Sequence, residues 1–271
     1  MSLSNRAALL LIVAAAVAIP SASAQPAASK AQAAMSQAAQ QGKYTFVLFY
    51  KQNDPATSTM NTTLQQSLAK YANVAVLTFV QVADPSEQAL VAKYDVARAP
   101  MPMCVAIAPN GAMTGIFAQQ LQAQHVANAI VTPTMMQVMR ALQDNKLAFV
   151  TVHGSGNPVV PASLREFQSD PHFSARMVSL SMNAADPAEA RFVAEMEVDP
   201  RTPGTHLSLL APPGVLVGKF AANTPKATIA AALAEAGKCC DDPNCKHHQQ
   251  PGQQQPTQGN NQAATQRAPA R

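Results

Sequence analysis

The sequence predicts an α/β protein built from two tandem domains, each a central mixed sheet flanked by helices, with a disordered C-terminal tail. Three observations carry this prediction. The chain is similar to itself at a spacing of 103 residues. Both copies show the same alternation, in which helices separate the early strands and a hairpin and a helix close the unit. The composition changes abruptly at Gly237.

The repeat is read from short matches that stay in register. Phe46-Val47 recurs as Phe149-Val150, and Asn53-Asp54-Pro55 recurs as Gly156-Asn157-Pro158. Asp84-Pro85-Ser86-Glu87 recurs as Asp186-Pro187-Ala188-Glu189, with the offset shortened by one. Arg98-Ala99-Pro100 matches Arg201-Thr202-Pro203, and Gly115 and Phe117 match Gly218 and Phe220. Two copies of this length suit two small domains, and the period is too long for a solenoid. The expected division is a signal segment over 1–24, a first domain over 25–131, a second over 132–237 and a tail over 238–271.

Within the first copy, 27–41 is rich in Ala and Gln and favours helix. Tyr44 to Tyr50 (YTFVLFY) is continuously apolar, as a strand buried on both faces must be. Thr57 to Ala72 places Met60, Leu64, Leu68 and Tyr71 on one helical stripe. Val74 to Val82 reads as a second buried strand. Asp84 then caps a helix, with Pro85 at its first position and Glu87 completing a capping box. The second copy repeats that signal at Asp186, Pro187 and Glu189. Strands over 103–108 and 112–117 flank a Pro-Asn-Gly turn, a hairpin signal. A last helix follows near 122–130, and its counterpart opens at Thr224 and Pro225.

Composition narrows the function classes. Apolar residues make up 48% and charged residues 13% of 271 residues, enough for a sizeable core. The net charge of +4 is mild and the basic residues form no runs, so there is no electrostatic footprint for nucleic acid. Four cysteines exclude a disulfide-dense scaffold. At the N-terminus, Arg6 precedes an apolar run from Ala7 to Ile19, and Ala22-Ser23-Ala24 offers small residues to a signal peptidase. That run is shorter than the roughly 20 residues a bilayer span requires. The expectation is an exported protein, periplasmic or extracellular, with no stable membrane span once Gln25 becomes the first residue.

The element order resembles the thioredoxin fold. The stretch Ala92-Lys93-Tyr94-Asp95-Val96-Ala97-Arg98-Ala99-Pro100 is similar to a Lys-Tyr-x-Val-x-x-x-Pro pattern in thioredoxins, where the proline is cis and faces the active site. The resemblance covers nearly all of 27–237. It implies a cis-proline loop at Pro100 and, through the repeat, at Pro203.

The resemblance also says where chemistry should lie. A redox-active thioredoxin carries Cys-x-x-Cys where the helix after the first central strand begins, because the helix N-terminus lowers a thiol pKa. Here the first loop reads Lys51-Gln52-Asn53-Asp54-Pro55-Ala56-Thr57, and the two cysteine positions fall near Asp54 and Thr57. In the second copy the corresponding residues are Asn157 and Val160. Neither loop holds a thiol, so neither can attack a disulfide. His153 has no nucleophile partner in sequence and reads as structural. Cys104 follows Met101-Pro102-Met103. Strand alternation turns it away from those methionines, which argues against a thioether–thiolate Cu(I) site. Met135, Met136 and Met139 read as inter-domain or core packing.

The remaining donors crowd the start of the tail: Cys239, Cys240, Cys245, His247 and His248. They are numerous enough for Zn or Cu, yet the spacing fits no zinc-finger pattern, and a local or interchain disulfide is the competing reading. Beyond them the tail holds eight Gln and no aliphatic residue larger than Ala. The expected function is an exported, redox-inactive tandem module that binds another exported protein or a peptide. The alternatives are a thiol–disulfide oxidoreductase working through the tail cysteines and a Zn- or Cu-binding protein.

Overall fold

The computed structural model describes residues 29–154, 158–199 and 204–238. The signal segment, Asn157, Pro203 and the tail from Cys239 onward, with Cys240, Cys245, His247 and His248, lie outside the described residues.

The first unit runs α1 (Lys30–Gln40), β1 (Tyr44–Tyr50), α2 (Pro55–Leu68), β2 (Ala75–Gln81), α3 (Gln88–Lys93), β3 (Met103–Ile107), β4 (Met113–Ala118) and α4 (Ala123–Ala129). The second runs α5 (Pro133–Gln143), β5 (Leu147–His153), α6 (Ala162–Ser169), α7 (Pro171–Ser174), β6 (Met177–Asn183), α8 (Ala190–Glu195), β7 (Thr205–Ala211), β8 (Val215–Ala221) and α9 (Lys226–Lys238). The sheet orders are β2-β1-β3-β4 and β6-β5-β7-β8. In each, the first pair is parallel and the other two pairs are antiparallel. This is the thioredoxin order in both halves, as the element pattern implied.

The central strands explain the order. β1 is buried along almost its whole length, with Phe46 and Leu48 facing α2 and α4 while Val47 and Phe49 face α1 and α3. A strand apolar on both faces needs a helical layer on each side. β5 repeats this, with Phe149 in one layer and Val150 and Val152 in the other. Gly115 and Gly218 sit beneath the rings of Phe117 and Phe220, where an added Cβ would come within 2.5 and 2.7 Å. That close approach is why Gly-x-Phe recurs.

One local expectation is corrected. Asp84 accepts from the Ser86 N–H at 2.8 Å and opens a 3-10 turn over Pro85–Glu87. Glu87 does not complete a capping box there. It is buried and reaches α1 instead, accepting from Ser29 Oγ and from the Ala31 N–H at 3.2 Å. Ser29 in turn accepts from the Gln32 N–H at 2.8 Å.

The helix α5 joins the two units. Met136 and Met139 pack on the first core and Met135 on the second, as the packing reading expects. The Gln143 amide bonds both backbone groups of Met113, at 2.9 and 2.7 Å, and Asn110 donates to the Met136 carbonyl at 2.9 Å.

Candidate functional site

In the first unit, three segments meet beyond the C-terminal end of β1. The start of α2 comes first. Asp54 is its N-cap and accepts from the Thr57 N–H at 2.8 Å. Thr57 is buried and donates its hydroxyl to the Gln52 carbonyl at 3.1 Å. Chiefly the bond from the Thr57 N–H holds the Asp54 carboxyl below the usual aspartate range. A fixed anion thus occupies the positive end of the helix, where the fold elsewhere places a thiolate.

The second segment is the loop before β3. The cis peptide is at Met101–Pro102, two residues beyond Pro100, which corrects the expectation for that position. The Lys-Tyr-x-Val pattern does not by itself fix where β3 begins. Pro102 is the residue that immediately precedes that strand. By the repeat spacing its counterpart is Thr205, the first residue of β7, so the second unit has no proline there.

The third segment is the β4–α4 connection. Gln119 adopts a left-handed backbone, φ +62°, and its N–H donates to the Pro102 carbonyl at 2.7 Å. Gln122 and His125 cap α4 reciprocally, with His125 Nδ1 accepting from the Gln122 N–H at 3.2 Å. The His125 ring stacks on Phe117 with centroids 5.2 Å apart.

Between α2 and this connection lies a groove of about 420 Å³, lined by Pro55, Ala56, Thr59, Met60, Thr63 and Gln119 to Gln122. Its lining carries no charge. The Thr59 and Thr63 hydroxyls donate back into α2, to Pro55 and Thr59 carbonyls. The lining is otherwise the side chains of proline, alanine, methionine, leucine and glutamine. Such a lining suits an extended neutral chain segment.

The second unit departs from the first at the same place. α6 begins after Pro161 with no side-chain cap, and Val160, the counterpart of Thr57, is exposed beside exposed Val159. The junction of α6, α7 and α9 is closed by Lys226, which donates to Asp170 at 2.5 Å and lies over the Phe167 and Phe173 rings.

Of the cysteines, only Cys104 is described. It is fully buried in β3 facing the α2 layer, and burial pushes its thiol up to about 12. Met101 and Met103 lie in the opposite layer, as strand alternation requires. His153 ends β5 with Nδ1 2.9 Å from the Gly154 carbonyl, a backbone contact that fits its structural reading. Among the described residues, no three His, Cys, Asp or Glu side chains cluster as a metal site, and no helix is long and apolar enough to cross a membrane.

Sequence reasoning missed Gln119, Gln120 and the groove, because a polar connection carries no periodic signal. The Pro-free stretch after Phe117 gave no hint of the left-handed turn.

No protein-family model and no curated protein matches the chain. Solved structures do. Thioredoxin O2 from Arabidopsis thaliana is 13% identical over 41% of this chain and 90% of that one, with a TM-score of 0.30. A disulphide isomerase from Xylella fastidiosa is 16% identical over 41% and 93%, with a TM-score of 0.31. The first two thioredoxin domains of Saccharomyces cerevisiae Eps1p are 9% identical over 78% and 98%, with a TM-score of 0.28. Strand order and register define the fold.

Proposed function

We propose that this tandem of thioredoxin-like domains is an exported binding module without thiol chemistry at the usual site, and that its first domain holds an extended, uncharged peptide segment in the α2 groove. The observation that carries this reading is the Asp54 cap. The helix end that would activate a thiol is already neutralised by a carboxylate bonded to the Thr57 N–H at 2.8 Å. Cys104 offers no substitute, since its thiol is buried and raised to about 12. The groove is supported on one side by Gln119, which is tied to the Pro102 carbonyl. That bond fixes the connection before any ligand arrives and lowers the ordering cost of binding.

Selection of displayed peptides on the mature chain tests the proposal. Enriched sequences should be extended and uncharged, and their affinity should change little across about tenfold in salt, because no charge pair forms. Thr59→Trp fills the groove from an exposed position and should abolish capture. Turnover of a model disulfide by the wild-type chain, lost when Cys239, Cys240 and Cys245 are all replaced by Ser, would overturn the reading in favour of an oxidoreductase. Zn or Cu bound stoichiometrically by the purified chain, and lost on truncation after Lys238, would favour the metal reading.

A further inference from the structure

Among the described residues, β2 is an edge strand of the first sheet and pairs with β1 alone. Natural edges are protected by charge, proline, a bulge or shortness. Here Val74 to Val82 reads VAVLTFVQV, with no charge and no proline, and β2 pairs with β1 over seven residues without a register shift. The direction of its free backbone groups follows from two bonds. The Val74 carbonyl accepts from Tyr44, and the Val82 N–H donates to Tyr50. Even-numbered residues therefore turn their backbone toward β1, and odd-numbered ones turn it outward. Ala75 is buried, so the outward groups left open are both those of Leu77 and Phe79 and the N–H of Gln81, whose carbonyl already accepts from the Asp84 N–H at 3.0 Å.

The second unit serves as an internal control. Leu48 pairs with Phe79 in one sheet, and its counterpart Thr151 pairs with Ser181 in the other. Likewise Leu77 corresponds to Ser179. The fold is satisfied by serine at this edge, yet the first unit places a phenylalanine there, 45% exposed.

We propose that the β2 edge takes the same strand of a second copy of this chain. The two strands run antiparallel across a two-fold axis beside Phe79, so that two four-stranded sheets become one. A two-fold axis sets a strand against itself, and any charged residue near the axis would then face its own like charge. β2 has none. With the axis at Phe79, the two Phe79 rings lie opposite one another and Leu77 faces Gln81 of the second copy, an aromatic pair flanked by neutral ones. The outward N–H and C=O groups of Phe79 find partners in the Phe79 of the second copy, and the Gln81 N–H donates to the Leu77 carbonyl across the axis.

Light scattering after size exclusion tests this on the mature chain, in reductant so that tail thiols cannot link chains. The wild type should run as a dimer that dissociates on dilution. Phe79→Lys should raise the dissociation constant by at least about tenfold. Phe79→Ser, the residue the second unit uses, should weaken the dimer less. Far-UV circular dichroism should be unchanged in both, because Phe79 is already half exposed. Hydrogen exchange at the Phe79 and Gln81 amides should slow with rising concentration, while the Thr78 amide, which faces β1, should not respond. A wild-type chain that stays monomeric at every concentration, or a Phe79→Lys chain that remains dimeric, would overturn the proposal.

Discussion

Glu189 reaches back 55 residues to Thr134, accepting from its N–H at 2.8 Å and from its hydroxyl at 2.7 Å, and so closes the start of α5. Glu87 does the same for α1 through Ala31, which is Thr134's counterpart at the repeat spacing of 103. The N-caps Ser29 and Thr132 are also 103 apart. The recurring Asp-Pro-x-Glu is therefore a clamp. Its Asp-Pro opens a 3-10 turn, and its Glu fastens the helix that begins the domain.

Removing that carboxylate should be expensive. A buried charged hydrogen bond is worth about 1.5–3 kcal/mol, and its loss leaves buried donors unpaired. Glu87→Ala and Glu189→Ala should each lower unfolding free energy by about 2 kcal/mol or more. Urea titration of each variant measures this. Glu189→Ala should also loosen the junction, since α5 packs on both cores.

Asp54→Ala removes the cap of α2. The variant should be less stable than the wild type. Peptide capture by the groove should weaken with it, because the first turn of α2 supplies Pro55, Ala56 and Thr59 to the lining. Calorimetry on the same peptide for wild type and variant reads both effects.

Acid should destabilise the chain in a defined window. The Asp54 carboxyl is lowered by the Thr57 N–H, and the Asp170 carboxyl by the Lys226 hydrogen bond first and the His172 N–H second. A folded pKa below the unfolded one gives stability that is present above about pH 4 and lost as pH falls through the lower folded value. Unfolding midpoints measured from pH 7 down to 3 should fall, and Asp54→Asn with Asp170→Asn should flatten that slope.

Cys104 should be silent toward thiol reagents. With its pKa at about 12, only roughly one part in ten thousand is thiolate at pH 8, and it is fully buried. With Cys239, Cys240 and Cys245 replaced by Ser, the native chain should take up no label until it is unfolded.

The strands and their order were legible because a strand buried on both faces must be apolar throughout, as Tyr44 to Tyr50 is. The caps at Asp84 and Asp186 were legible because their partners lie two residues away. The local spacing of Glu87 mimics a capping box, while its true partners are 56 and 58 residues distant. The motif points to Pro100 while the cis bond is at Pro102, since a short motif with two nearby prolines does not fix which one abuts the strand.

By itself the sequence determined the two-fold repetition, the alternation of elements and the absence of a thiol from both loops, because these depend on residue type and on neighbours along the chain. Tertiary structure decided which carboxylates clamp which helices, that Gln119 and Pro102 wall a groove with α2, and that Phe79 stands on an edge strand where Ser181 stands in the repeat. Those relationships are set by packing between segments far apart in the chain. No local pattern of residues encodes such distances, so they become visible only when the sheets are assembled.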